Sequence, residues 1–214
     1  LQGRAGPAEA PRFAVDIKDA GGMHAGQIRL IATDKGLGVN STGRLSTLEG
    51  DLVLSADGKL TLRHTQAARG LRISSPDRVQ LTGDTQSGGV AHITAGGGLA
   101  NSGELIAPSL QLRTPSLDNS GVVAQLSANP LLLALPGGLR NSGLIHSGGD
   151  LLVQADRIES SPGQRGELRA TDALRIAGAQ LSVTGQDLQV NQTVRILAGS
   201  LNLKDSTAQS QGDL

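Results

Sequence analysis

Four histidines, His24, His64, His92 and His146, are the residues of this chain best suited to proton transfer or metal binding. None sits in a His-Glu-x-x-His pair, so they could share a metal only if folding aligned them. Carboxylates that cleave polysaccharides work as close pairs or as a cluster on one face. Here Asp and Glu are dispersed, and Asp51, Asp118 and Asp150 stand where turns are expected. The glycine-rich runs 21–26 and 95–103 lack the Lys-Ser/Thr ending with which a loop cradles phosphate. Gly148-Gly149-Asp150 is a scrap of a calcium-binding repeat and reads better as a corner. With no cysteine, disulfides and thiolate-bound zinc are excluded. These residues lead to the expectation of a protein that is not an enzyme, with no catalytic, cofactor-binding or metal-binding residues and no cofactor.

Composition narrows the scaffold. Apolar residues are 37% of the chain and almost all aliphatic, with Phe13 the only aromatic apart from the histidines. A core without large aromatics must be filled by Leu, Val and Ile in thin, regular layers. The 19 basic and 19 acidic residues balance, and stacking aromatics are missing, so no nucleic-acid partner is expected. No run of 18 apolar residues exists to cross a membrane as a helix, and the aromatic girdles of membrane barrels are absent. Membrane insertion is therefore not expected either.

The elements that would position any site follow from internal repeats. Leu-x-Asn-Ser-Gly occurs three times, with its asparagines at Asn101, Asn119 and Asn141 and its glycines at Gly103, Gly121 and Gly143. Toward the C-terminus, short apolar–polar–apolar triplets begin at Leu174, Leu181, Leu188, Val194 and Leu201. Each triplet has the period of a strand, with its middle residue facing out. Three of them make a turn of about 20 residues, so Leu174 falls in line with Val194 and Leu181 with Leu201. That period predicts an all-β fold, a parallel β-helix with three short strands per coil. Ile176, Val183, Ile196 and Leu203 are expected inside, and Arg175, Ser182, Arg195 and Asn202 outside. The Leu-x-Asn-Ser-Gly phrase is expected to be a structural corner, with Asn amides bonded from coil to coil and Asn and Gly tolerating left-handed backbone. Residues 1–12 read as a linker or the end of a preceding domain, and residues 13–214 as the β-helix. The stretches 63–70 and 160–167 read as loops bulging from it. Gly212-Asp213-Leu214 repeats the letters of Gly50-Asp51-Leu52, which suggests a fragment of a longer chain.

One stretch is specific enough to carry a resemblance. Residues 13–45, with Gly21-Gly22-Met23, Ala25-Gly26-Gln27-Ile28, Gly36-Leu37-Gly38-Val39 and the closing Gly43, resemble a segment of the exoproteins of Gram-negative two-partner secretion. That family includes filamentous haemagglutinin adhesins and contact-dependent growth-inhibition toxins, and the remaining repeats are similar to its haemagglutinin-type repeats. The resemblance implies a right-handed β-helix just after a secretion domain. It also implies export by an outer-membrane partner transporter and display at the cell surface. The function it suggests is a structural shaft presenting an adhesive or toxic tip to other cells. The alternative is a segment whose loops bind a target-cell receptor or glycan.

Overall fold

The computed structural model describes residues 13–18 and 21–212, so the expected linker at 1–12 lies outside the described residues. Every element is a β-strand, and all pairings are parallel. The chain winds as a solenoid of about 10 turns with roughly 20 residues per coil. Backbone hydrogen bonds run from each coil to the next, which stacks the coils about 4.8 Å apart.

Three ladders form the walls. On the first, Ile28–Ala32, Leu52–Ala56, Leu71–Ser75, Val90–Ala95 and Ser109–Arg113 stack as one continuous sheet. The same wall resumes with Leu131–Ala134 paired to Leu151–Gln154, and then with the opening halves of Ala173–Thr184 and Thr193–Lys204. The second wall carries Val79–Leu81, Leu99–Asn101, Leu117–Asn119, Leu139–Asn141 and Arg157–Glu159. On the third stand Asp84–Ser87, Glu104–Ala107, Val122–Gln125, Leu144–Ser147, Gly166–Ala170 and Gln186–Val190. Gly38–Thr47 and Leu60–Ala67 bend through the corner and serve both the second and third walls.

Alternation within each strand points one set of residues into the lumen, where Leu, Ile, Val and Ala form a single buried column along the axis. The register follows the repeat: Leu174 pairs with Val194, Ile176 with Ile196, Leu181 with Leu201 and Val183 with Leu203. Ile176 and Val183 are buried, and Arg175, Arg195 and Asn202 are exposed. Leu201 and Leu203 differ from expectation, being 48% and 52% exposed. They face inward, but among the described residues no further coil lies over them, and only the next coil can remove an inward side chain from water.

Two other expectations are corrected. Residues 63–67 are strand rather than loop, because Thr65 and Ala67 take inward positions, Thr65 pairing with Leu45 and Thr85 and Ala67 with Ser87. The bulge at 160–167 ends earlier than its letters suggest, since Gly166 already opens a strand.

Candidate functional site

The most specific feature of the interior is a column of side-chain amides at the corner between the second and third walls. Asn101, Asn119 and Asn141 end three consecutive strands, pair directly across the coils, and are buried. Asn101 Nδ2 donates to Asn119 Oδ1 at 2.8 Å, and Asn119 Nδ2 donates to Asn141 Oδ1 at 2.8 Å. Each Nδ2 also donates to corner carbonyls, those of Gly103 and Val122 for Asn101 and of Gly121 and Leu144 for Asn119. A buried amide is costly unless its groups are paired, and here one coil supplies the partner for the next.

Above Asn141 the column skips a coil. The excursion 160–165 leaves the corner, and Gln186, one coil later and fully buried, reaches across. Asn141 Nδ2 donates to Gln186 Oε1 at 3.1 Å, and Gln186 Nε2 returns a bond to the Asn141 carbonyl at 2.9 Å. Below Asn101 the same position is taken by Leu81, and Asn101 Oδ1 is buried without a partner.

The glycines of the motif sit where coils touch, not where the backbone turns left-handed. A Cβ on Gly121 would lie 2.0 Å from the Gly103 carbonyl oxygen, and one on Gly143 would lie 2.0 Å from that of Gly121. Positive φ is found instead at other corners, such as Gly98 (102°) and Gly138 (96°). The left-handed explanation for Gly103, Gly121 and Gly143 is therefore replaced by close backbone approach.

A second buried amide, Gln125, was not signalled by any repeat. Its Oε1 accepts the backbone N–H of Leu110 at 2.9 Å, and its Nε2 donates to the Asn129 carbonyl. It bridges the place where the first wall breaks, between Ser109–Arg113 and Leu131–Ala134.

Outside, the four histidines do not meet. His24 Nδ1 contacts Ser46 Oγ at 2.5 Å, and His64 lies 3.6 Å from Asp84. His146 is held below its ordinary pKa by burial and then by Arg169, with Glu167 opposing. Among the described residues, no group of three His, Asp or Glu side chains could hold a metal. Ion pairs bridge coils on the second and third walls: Arg140 with Glu159 at 2.9 Å, Arg78 with Asp118 at 3.6 Å, and Arg165 with Asp187. The hydrogen bonds from Arg165 and from Thr207 keep the Asp187 carboxyl below its usual range. An open groove of about 220 Å³ runs over Gly137 and Gly138 between the Arg78–Asp118 and Arg140–Glu159 pairs.

Comparison with known proteins supplies what the geometry does not. The chain is 32% identical over 218 residues to the 16S rRNA endonuclease CdiA of Enterobacter cloacae subsp. cloacae, covering 96% of this chain and 6% of that protein. It is 30% identical over 203 residues to the toxin CdiA of Escherichia coli, covering 92% of this chain and 6% of that protein. A tRNA nuclease CdiA of Yersinia mollaretii is 29% identical over 218 residues, covering 90% of this chain and 7% of that protein. No family model matches the chain, and no solved structure does.

Those names overturn the expectation that the protein is not an enzyme, because relatives across most of the chain are called nucleases. The exclusion of nucleic acid loses its support with it, since rRNA and tRNA appear in the same names. The chain spans 6% or 7% of the length of these relatives. The repeats, the parallel solenoid and these matches agree: the chain belongs to the CdiA contact-dependent growth-inhibition exoproteins of two-partner secretion, a secreted and surface-displayed family of Gram-negative bacteria.

Proposed function

We propose that this segment is part of the shaft of a contact-dependent growth-inhibition exoprotein. In this reading it spaces a toxic nuclease activity of the whole protein from the producing cell and toward a target cell. Export runs through an outer-membrane two-partner transporter, and the Asn101, Asn119, Asn141 column with Gly103, Gly121 and Gly143 is the corner that keeps successive coils in step. The observation that carries the reading is the unbroken axial core, with backbone ladders on three walls and a buried amide column at one corner. A spacer needs stacking continuity, and because each coil contacts only its neighbours, length can change by whole coils without loss of order.

A whole-coil deletion tests this in the full-length exoprotein. Leu71 pairs with Ala91, Val79 with Leu99 and Thr85 with Leu105, a step of 20 residues on all three walls. Removing residues 71–90 joins Gly70 to Ala91 and sets Asn101 over Leu62, as Leu81 is set now. This variant is expected to be secreted and to inhibit target cells, with a shaft shorter by about 4.8 Å. Removing only residues 71–80 breaks the register and is expected to expose the core to protease. Loss of target-cell inhibition in a secreted, protease-resistant 71–90 deletion would show that inhibition needs this particular coil and not merely its length, and the shaft reading would fail.

A further inference from the structure

Ion pairing varies over the outer surface of the solenoid. Several arginines on the second and third walls are paired with acids, as in Arg140–Glu159, Arg165–Asp187 and Arg169–Glu167, while Arg44 and Arg157 on those walls have no ion-pair partner among the described residues. On the outer face of the first wall, unpaired arginines recur along the first five rungs. Arg29, Arg72 and Arg113 are exposed there and have no ion-pair partner among the described residues. Their positions follow from the ladder: Arg29 pairs with Val53, Val53 with Arg72, Arg72 with His92, and Arg113 lies beside Thr94 in the adjacent column. Charged forks therefore recur on alternate rungs, one, three and five, about 10 Å apart along the axis for coils spaced about 4.8 Å. No outward strand position on these five rungs carries a carboxylate. The nearest acids stand at the corners, and of these Asp51 and Asp77 accept the backbone N–H groups of Gly70 and Arg78.

We propose that this arginine stripe on the first wall is a binding surface for an acidic, carboxylate-bearing polysaccharide lying along the solenoid axis. The inference goes beyond the shaft reading and does not depend on it. Guanidinium forks match carboxylates in plane and in pairs, which a lone ammonium does not. Val53 and His92 stand in the arginine column itself, and around it the outward side chains Ser55, Ser74, Thr94 and Gln111 offer hydroxyl and amide groups to sugar hydroxyls. These hydroxyl and amide groups match the hydroxyls of a sugar chain, which favours a polysaccharide at this face. A flat, regular wall suits a linear ligand with a regular charge repeat better than a compact one.

The test uses the 214-residue chain and polygalacturonate as the probe, with dextran and a DNA duplex as comparison arms. Polygalacturonate is expected to bind, more weakly as salt screens the contacts, while dextran does not bind and DNA binds less tightly. The triple variant Arg29→Ser/Arg72→Ser/Arg113→Ser is expected to lose about tenfold or more in affinity. Removing equal charge elsewhere, in Arg140→Ser/Arg165→Ser/Arg169→Ser, is expected to change it by less than about twofold. Arg72→Lys keeps the charge without the fork and is expected to fall between wild type and the first triple variant. Circular dichroism and melting confirm that each variant is folded; the stripe arginines are exposed and unpaired, so their loss leaves the coils intact. Absence of polygalacturonate binding, equal loss in the two triple variants, or tighter binding of DNA would each overturn the proposal.

Discussion

At the scale of single residues, the corner column makes equal substitutions unequal. Asn119 is bonded to amides on both sides, whereas Asn101 Oδ1 already lacks a partner and Leu81 lies beneath it. Asn119→Leu strands Asn141 Oδ1 and removes an acceptor from Asn101, so it should destabilise the chain by about 2–3 kcal/mol. Asn101→Leu extends a leucine already present below and should cost about 1 kcal/mol less. Urea unfolding of the two variants checks the order; equal midpoints would mean that the amide chain is not what holds the corner. The glycines give a second comparison. Gly121→Ala forces a methyl against the Gly103 carbonyl, while Gly26→Ala meets nothing within 4 Å. The first should therefore lower the melting temperature markedly and the second leave it almost unchanged. The motif itself was legible from sequence because it repeats in Leu, Asn and Gly together. The reason for its glycines was not, since letters show that Gly is required but not whether the cause is torsion or contact. Gly83 belongs to the same stack, its Cβ position lying 2.5 Å from the Arg63 carbonyl oxygen. Val79-Gln80-Leu81-Thr82-Gly83 is a copy of the phrase in which Leu stands for Asn, and that substitution concealed it.

At the scale of elements, strands with Leu, Ile or Val at both inward positions were easy to read, and those that bury Thr or Ser were not. Leu60–Ala67 buries Thr65 and Ala67, so its second half passes for a polar loop. Inward and outward remain sharply different even where the residues are adjacent. Leu54 is fully buried and Ser55 faces out. Leu54→Asp should cost several kcal/mol, about 4 or more, by placing an unpaired carboxylate between apolar layers. Ser55→Asp should change stability by less than about 1 kcal/mol. Gln186 was invisible for another reason: its partner Asn141 is 45 residues away, more than two coils, and no single repeat brackets such a contact. Gln186→Leu should loosen the 160–165 excursion, and trypsin should then cut after Arg165 faster than in the wild type. The third wall also carries a pH response. His146 titrates below its ordinary value in the folded chain through burial and Arg169. The unfolded chain therefore takes up the proton first, near pH ~6.5. Stability from this group is complete above that pH and declines as pH falls toward the lowered folded value. His146→Gln should remove this part of the slope in urea midpoints measured between about pH 7.5 and about pH 5.5; an unchanged slope would assign the response to another group.

For the whole molecule, a period of about 20 residues was enough to read the architecture from sequence, because a solenoid has one rule repeated and almost no long-range topology to guess. The same property sets how stability is distributed. A coil in the middle is hydrogen-bonded and packed on both sides, as Leu139–Asn141 is between Leu117–Asn119 and Arg157–Glu159. The coil at 194–210 has a described neighbour on one side, and its inward Leu201 and Leu203 remain half exposed. Opening that coil sacrifices one interface, whereas opening a central coil sacrifices two, along with the amide bonds of Asn119 and Asn141. Hydrogen exchange of the chain should therefore be graded rather than uniform. Amides of 99–153, which span the amide column in coils packed on both sides, are expected to be the slowest. Those of 193–210 should exchange fastest, and those of 28–32 at an intermediate rate. Gln186→Leu should raise exchange in 157–170 before it affects 99–107, because the break it opens is local and is passed on only through neighbours. If exchange instead rises equally in every strand, the coils open as one cooperative unit. Nearest-neighbour stacking would then be the wrong description of how the molecule holds together.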